Sequence, residues 1–244
     1  MKNCLKFKEN EFGQKIGLPV QLNIQPEHRF DMLQGRSVRL LPFSAQTLNA
    51  ARLQQLWESV CTEPDVRCWI YLPYPPMPSA DALNDALQRA FGFQNSTHYV
   101  IEADGRAVGW AALLNIQRAH GTAEIGNVYF SHQLKQSRAA TETIYLLLRA
   151  CFSAGYRRVE WKCDDLNEPS KRAALRFGFH HEGLFRQHYI VKGRSRNTAW
   201  FSMLDEEWPE LDNAYQAWLN ADNFNAAGQQ KRRLQDFIQQ PQKK

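Results

Sequence analysis

The order of apolar and polar positions divides the chain into segments of different period. Arg36–Phe43 (RSVRLLPF) alternates as a strand does, while Ser44–Val60 places Leu48, Leu53, Leu56 and Trp57 close to one helical face. Residues 67–79 (RCWIYLPYPPMPS) carry four prolines, which forbid a helix. Ser79 is positioned to cap a second helix running to about Phe91, with Leu83 and Leu87 four apart. Across Thr97–Phe130 the period changes. Three β-rich runs are separated by Asp104-Gly105 and His120-Gly121, the pattern of three consecutive antiparallel strands.

The spacing next predicts a long helix over 139–155, with Ile144, Leu147, Leu148 and Cys151 on an apolar face and Gly155 as its stop. A short strand at 157–163 and a helix over Glu168–Phe177 follow. Phe179–Ile190 and Arg194–Leu204 then pair as a hairpin about Lys192-Gly193. Residues 1–34 lack clear periodicity and read as an N-terminal arm lying on the domain or fraying. In the tail from Asp205, Trp208, Leu211, Tyr215, Trp218 and Leu219 fall at near-helical spacing and predict a docked helix. Residues 223–244 read as a partly ordered terminal helix. The expected units are therefore an arm over 1–34, a domain over 35–204 and a helical extension over 205–244. The order of elements predicts an α+β fold, a mixed and mostly antiparallel twisted sheet with helices on both faces. It excludes a regular βαβ repeat, and neither G-x-G-x-x-G nor a P-loop sequence occurs.

Composition narrows the class. With 244 residues, 43% of them hydrophobic, and seven Trp, eight Tyr and fourteen Phe, the chain has ample material for a core, so disorder is excluded. No run approaches the ~18 apolar residues of a membrane span. The stretch MKNCLKFKENEFGQKIG lacks the apolar segment of a signal peptide. Five cysteines (Cys4, Cys61, Cys68, Cys151, Cys163) make an odd count without C-x-x-C spacing and read as reduced thiols. Together these features predict a cytoplasmic protein with no membrane partner. His180, His181 and His188 complete no ligand set, so no metal is expected. The formal charge is +5, and between Tyr156 and Arg196 ten Lys/Arg stand against five Asp/Glu, which accounts for all of it. Such a stretch suits an anionic ligand, or is simply a solvated basic face.

The junction VYFSHQLKQSRAATET carries the most chemistry. A strand ends at Phe130 and a helix begins near Ala139. A helix start offers unpaired N–H groups and the positive end of a dipole, which bind phosphates. Lys135 and Arg138 add full charges there, and small Ala139 and Ala140 let a pyrophosphate approach the backbone.

From about Gly35 to Leu204 the chain resembles acyl-CoA N-acyltransferases of the GNAT type, and within them the RimJ/RimL-like branch. The segments EIGNVYFS, YRRVEWKCDDLNEPS and ALRFGFHHEGLFRQH carry the resemblance, in that order, and it takes in WIYLPYPP. The resemblance implies acetyl-CoA as co-substrate and no metal. It places the pyrophosphate loop, usually Gln/Arg-x-x-Gly-x-Gly/Ala, on Lys135, Gln136, Ser137, Arg138, Ala139 and Ala140, so that Arg138 stands in the usual glycine position. It also implies that the third meander strand splays from the strand at 157–163. Pantetheine would enter between them and pair with the backbone of Asn127, Val128, Tyr129 and Phe130. Glu124, just upstream, would take a proton from the incoming ammonium; its alternative is a solvated strand carboxylate. Asn167 and Ser170 are ordinary helix-capping types. The resemblance makes Asn167 a hydrogen-bonding partner of the cofactor and Ser170 the partner of the departing sulfur, since the position of the tyrosine found in many relatives is Ala174. The expected reaction is acetyl transfer to a primary amine of a protein N-terminus or a small molecule, by direct attack. A CoA-binding regulatory module with weak or no turnover and an RNA- or ribosome-associated binding protein are the alternatives, nucleic acid being the less expected partner. Monomer and homodimer both remain open.

Overall fold

The computed structural model describes residues 6–24, 29–90 and 94–239. After a two-stranded hairpin, β1 (Phe7–Glu9) and β2 (Lys15–Gly17), come β3 (Leu33–Gln34), β4 (Val38–Pro42), α1 (Ala50–Val60) and α2 (Ala80–Ala90). The meander is β5 (Thr97–Ala103), β6 (Arg106–Gln117) and β7 (Thr122–Phe130). It leads to α3 (Arg138–Ser153), β8 (Arg158–Asp164), α4 (Glu168–Arg176), β9 (His180–Val191) and β10 (Arg194–Leu204). The chain closes with α5 (Trp208–Leu219) and α6 (Leu234–Ile238). The main sheet has eight strands in the order β3-β4-β5-β6-β7-β8-β10-β9. Every neighbouring pair is antiparallel except β7 and β8. This is the α+β architecture expected from the pattern.

Alternation along the strands sorts side chains onto two faces. Tyr99, Ile101, Ala111, Leu113, Ala123, Ile125, Val159 and Phe201 face α3, α4 and α5 in one core. Val100, Ala107, Trp110 and Tyr129 face α1 and α2 in a second. Gly109 lets the β6–β7 pair close: a Cβ there would stand 2.4 Å from the carbonyl oxygen of Tyr129.

Several expectations are corrected. The first helix begins at Ala50, not Ser44. Ser44 Oγ instead accepts from the Thr47 amide, and Asn49 Oδ1 caps the helix by accepting from Arg52 N (3.0 Å each). Within the N-terminal arm, Asn10 Oδ1 accepts from the amides of Phe12 and Gln14 and shapes the turn between β1 and β2. The long helix is buried on all sides from Ala139 to Leu148, because α5 covers its outer surface. Tyr145 stacks on Trp208 and Tyr215 and donates to Asp212 Oδ1 (2.9 Å). Among the described residues of the terminal region the α-helix is confined to Leu234–Ile238, after a 3-10 turn at Ala221–Asn223, and Leu234 is fully buried. Cys4, the last turn expected at Phe91 and residues 240–244 lie outside the described residues.

Candidate active site

The parallel ladder between β7 and β8 ends at Ile125↔Trp161. Beyond that point each strand stays paired on its far side, β7 with β6 to Phe130↔Gly109 and β8 with β10 to Asp164↔Thr198. A wedge therefore opens between them. The bend comes from a bulge: Gly126 pairs with Ala112 but Tyr129 with Trp110, and Asn127 takes φ 47°. Asn127 Nδ2 donates to Tyr74 Oη (2.6 Å), while its Oδ1 is buried without a partner among the described residues. Val128 and Phe130 are half-buried against the main core. The Tyr129 ring packs against both Trp69 and Trp110, centroids at 5.3 and 4.2 Å, and its hydroxyl donates to Glu63 (3.1 Å). Burial pushes the Tyr129 phenol far above its ordinary pKa, so it is a donor and not a base.

Glu124 stands one residue before the last β7–β8 pair, on the face opposite α3. It is 8% exposed, so it is not a solvated strand carboxylate. Its Oε2 accepts from Asn115 Nδ2 (2.6 Å) and from Lys162 Nζ (2.8 Å). Its Oε1 takes no partner among the described residues. That oxygen lies over Gly126, where a Cβ would come within 3.2 Å of it. Gly126 is the first β7 residue inside the wedge, so the free oxygen of Glu124 sits at the wedge's entrance.

The loop before α3 turns tightly. Leu134 N and Lys135 N both donate to Ser131 O (2.9 Å), and Gln136 takes φ 61°. Ser137 is the N-cap, its Oγ accepting from Ala140 N (3.0 Å). The amides of Gln136, Arg138 and Ala139 have no partner among the described residues, the expected anion-binding end of a helix. The cationic side chains around this turn are engaged within the protein. Lys135 Nζ is spent on Glu63 (2.7 Å), and Arg138 turns back to the Leu219 carbonyl and the Phe224 ring. Ala139 and Ala140 are 9% and 5% exposed, packed into the core. Both cations of the loop thus have partners in the protein, while three of its backbone amides do not among the described residues. Glu63, which anchors Lys135, carried no motif and escaped the sequence reading.

On the other side of the wedge, Asn167 caps α4 by accepting from Ser170 N (3.2 Å). Ser170 Oγ accepts from the Trp161 indole N–H (3.0 Å), and its own hydroxyl proton is within hydrogen-bonding reach of the Cys163 sulfur. Trp161 is the last β8 residue paired with β7, so this hydroxyl stands beside the opening. Cys163 is buried there, and burial raises its thiol pKa, which keeps it protonated. Lys171 is paired with Glu168 (2.7 Å) and Asp165 (3.3 Å).

The family model "Acetyltransferase (GNAT) family" matches residues 64–179. A GCN5-related N-acetyltransferase from Brucella melitensis is 40% identical, with 88% of this chain and 97% of that one covered and a TM-score of 0.82. The chain belongs to the GNAT acetyltransferase family. A probable GNAT acetyltransferase from Chromobacterium violaceum ATCC 12472 is 37% identical over 80% of this chain and 96% of that one, at a TM-score of 0.70. The RimL ribosomal-protein N-acetyltransferase in complex with coenzyme A shares the fold at 16% identity, over 71% of this chain and 98% of that one, with a TM-score of 0.56. Among curated proteins none matches.

As a GNAT acetyltransferase the protein is an enzyme that takes its acetyl group from acetyl-CoA. The residues present suit that co-substrate. Free backbone groups line β7 within the wedge, Asn127 holds a buried unpartnered acceptor, and three free amides stand at the start of α3. Among the described residues no cluster of three or more His, Cys, Asp or Glu comes together to hold a metal. No helix among them is long and apolar enough to cross a membrane.

Proposed function

We propose that this acetyltransferase moves acetyl to a primary amine of a protein N-terminus or a small molecule by direct attack, within the RimJ/RimL-like branch and in the cytoplasm. The observation that carries the reading is the free Oε1 of Glu124 at the wedge entrance, with Ser170 Oγ on the opposite wall. Acetyl-CoA supplies an activated thioester when bound. Glu124 takes the proton that the ammonium must lose, at Oε1. Ser170 donates its hydroxyl proton towards the departing sulfur. The backbone of Asn127–Tyr129, bent by the bulge, polarises the thioester carbonyl, and the amides of Gln136, Arg138 and Ala139 hold the pyrophosphate. Asn167 acts by fixing the start of α4 and hence Ser170. RimL, which shares the fold, is an α-N-protein acetyltransferase, and a protein N-terminus is accordingly one acceptor to test. The test is thiol release from acetyl-CoA with a panel of peptides and small amines. Amine-dependent release is expected.

The commitment of Lys135 and Arg138 elsewhere favours one alternative, a CoA-binding module with little turnover. CoA binding without thiol release for any amine would establish it. In the basic stretch Lys162, Arg158, Lys171 and Arg176 are engaged within the protein while Arg172, Arg186 and Arg194 stay exposed, so an RNA-binding role has fewer cations to draw on.

A further inference from the structure

Behind the wedge, on the sheet face opposite α3, lies a charged array with no counterpart in the sequence motifs. Lys162 Nζ stands 2.8 Å from Glu124 Oε2, 3.0 Å from Glu160 Oε2 and 3.9 Å from the centroid of Trp200. Glu160 is also held by Arg158 (2.9 Å), which in turn pairs with Glu182 on β9. Asn115 on β6 supplies the remaining polar contact to Glu124. Groups from β7, β8 and β10 thus meet at one ammonium, while Asn115 on β6 and Glu182 on β9 brace its partners.

Alternation explains the arrangement. Glu160 and Lys162 alternate with Val159, Trp161 and Cys163, which face the α3 core. Lys162 pairs in register with Trp200, and Glu124 with Glu160. The lysine is therefore seated between two carboxylates and over one aromatic face by the sheet itself. Only 14% of its side chain is exposed. Burial works against its charge, but Glu124 and then Glu160 outweigh it and raise the ammonium pKa above its ordinary value. At neutral pH this group stays a cation and is unsuited to take a proton from substrate.

We propose that Lys162 is the positioning residue for Glu124: with Asn115 it saturates Oε2 and turns Oε1 into the wedge. This rests on the reading of Glu124 as the proton acceptor. A carboxylate with one oxygen clamped has a single productive lone-pair direction. Without Lys162, Oε2 keeps only Asn115, Glu124 is free to rotate towards solvent, and a buried carboxylate loses its cation. Trp200 and Glu160 fix the clamp from behind, so the cation does not follow the carboxylate.

The test pairs kinetics with chemical labelling. K162M is expected to lower kcat at least about tenfold with the KM for acetyl-CoA within about twofold, and K162R is expected to recover most of the loss. In an E124Q background K162M should have no further effect, because Lys162 acts only through Glu124. Multiplicative effects, or near-normal turnover of K162M while E124Q is slow, would overturn this inference alone. Near-normal turnover of E124Q would instead remove the Glu124 base and the inference with it. A readout independent of turnover, and of whether K162M folds, is acetylation of the folded protein by acetic anhydride, followed residue by residue in mass spectra. Lys162 should label more slowly than exposed Lys8 and faster in E124Q than in the parent protein. Equal rates at Lys162 and Lys8 in the parent would show that the clamp does not exist in solution.

Discussion

Arg138, the first residue of α3, donates from Nη2 to the carbonyl of Leu219 at the end of α5, and its guanidinium lies 4.7 Å from the centroid of Phe224. Arg36 Nη1 reaches the same carbonyl (3.2 Å). The end of α5 carries unpaired carbonyls and the negative end of a dipole, so two guanidiniums there are well placed. Arginine in the usual glycine position therefore fastens the C-terminal extension to the start of α3.

Arg138→Gly should accordingly lower stability by about 1–3 kcal/mol, through a lost charge-assisted hydrogen bond and a lost cation–π contact. CoA affinity should change less than about threefold, since the loop binds through backbone amides. Denaturant unfolding and calorimetric titration separate the two effects. A large loss of affinity with unchanged stability would return Arg138 to the phosphate.

His98, 4% exposed beneath α1, gives the protein an acid-sensitive element. Burial pulls its pKa from 6.5 down to about 4. The unfolded chain takes up this proton near pH 6.5 and the folded one only near pH 4, so acid favours unfolding. The stabilisation is fully present above about pH 6.5 and is lost as the pH falls through about 4. His98→Asn should shrink the difference in stability between pH 7 and pH 4 by about 1–3 kcal/mol relative to the parent. Unfolding curves at the two pH values check this, and an unchanged difference would show that His98 accepts the proton when folded.

The period of the pattern made most elements legible, because strand alternation and turn pairs such as Asp104-Gly105 are local. The wedge was expected only through the family resemblance, since nothing local says where two strands part. Side-chain destinations were less legible. Lys135 and Arg138 looked like phosphate ligands by proximity in sequence, yet Glu63 and Leu219, 72 and 81 residues away, claim them. Lys162 looked like one of ten cations in a basic stretch. Only strand register reveals Glu124 and Trp200 beside it. Glu142, inside an apolar helix, drew no attention at all.

Glu142 is 2% exposed and accepts from the amides of Arg36 (2.7 Å) and Ser37 (2.8 Å) and from Ser37 Oγ (2.5 Å). Gly35 gives it room: a Cβ there would stand 2.7 Å from the Glu142 carboxyl carbon. This one carboxylate pins the turn entering β4 to α3. Glu142→Ala should cost about 3–5 kcal/mol, since it leaves three part-buried donors without their acceptor. Gly35→Ala should cost less, about 1–3 kcal/mol, because the carboxylate must shift to admit the methyl. Thermal unfolding reads both, and a Glu142→Ala protein as stable as the parent would mean that water replaces the carboxylate.

The two walls of the wedge should respond differently to truncation. A free amine at pH 7 is almost wholly protonated, with a pKa of ~10 for a lysine-like group and ~8 for an α-amino group, so attack needs an acceptor for one proton. Glu124→Gln keeps the shape and removes the basicity, and should lower kcat by ~10²–10⁴-fold with acetyl-CoA binding nearly intact. Ser170→Ala should lower kcat less, because a CoA thiolate is already a tolerable leaving group. It carries a structural cost of its own: the Trp161 indole N–H, on a side chain only 6% exposed, loses its acceptor, worth about 1–3 kcal/mol. Ser170→Thr restores an oxygen at that position and should recover stability. Activity should recover with it only if the hydroxyl also reaches the sulfur. Turnover and melting temperature measured together on the alanine and threonine variants distinguish the roles. Full activity in a destabilised Ser170→Ala protein would leave Ser170 as a structural partner of Trp161 and Cys163 and nothing more.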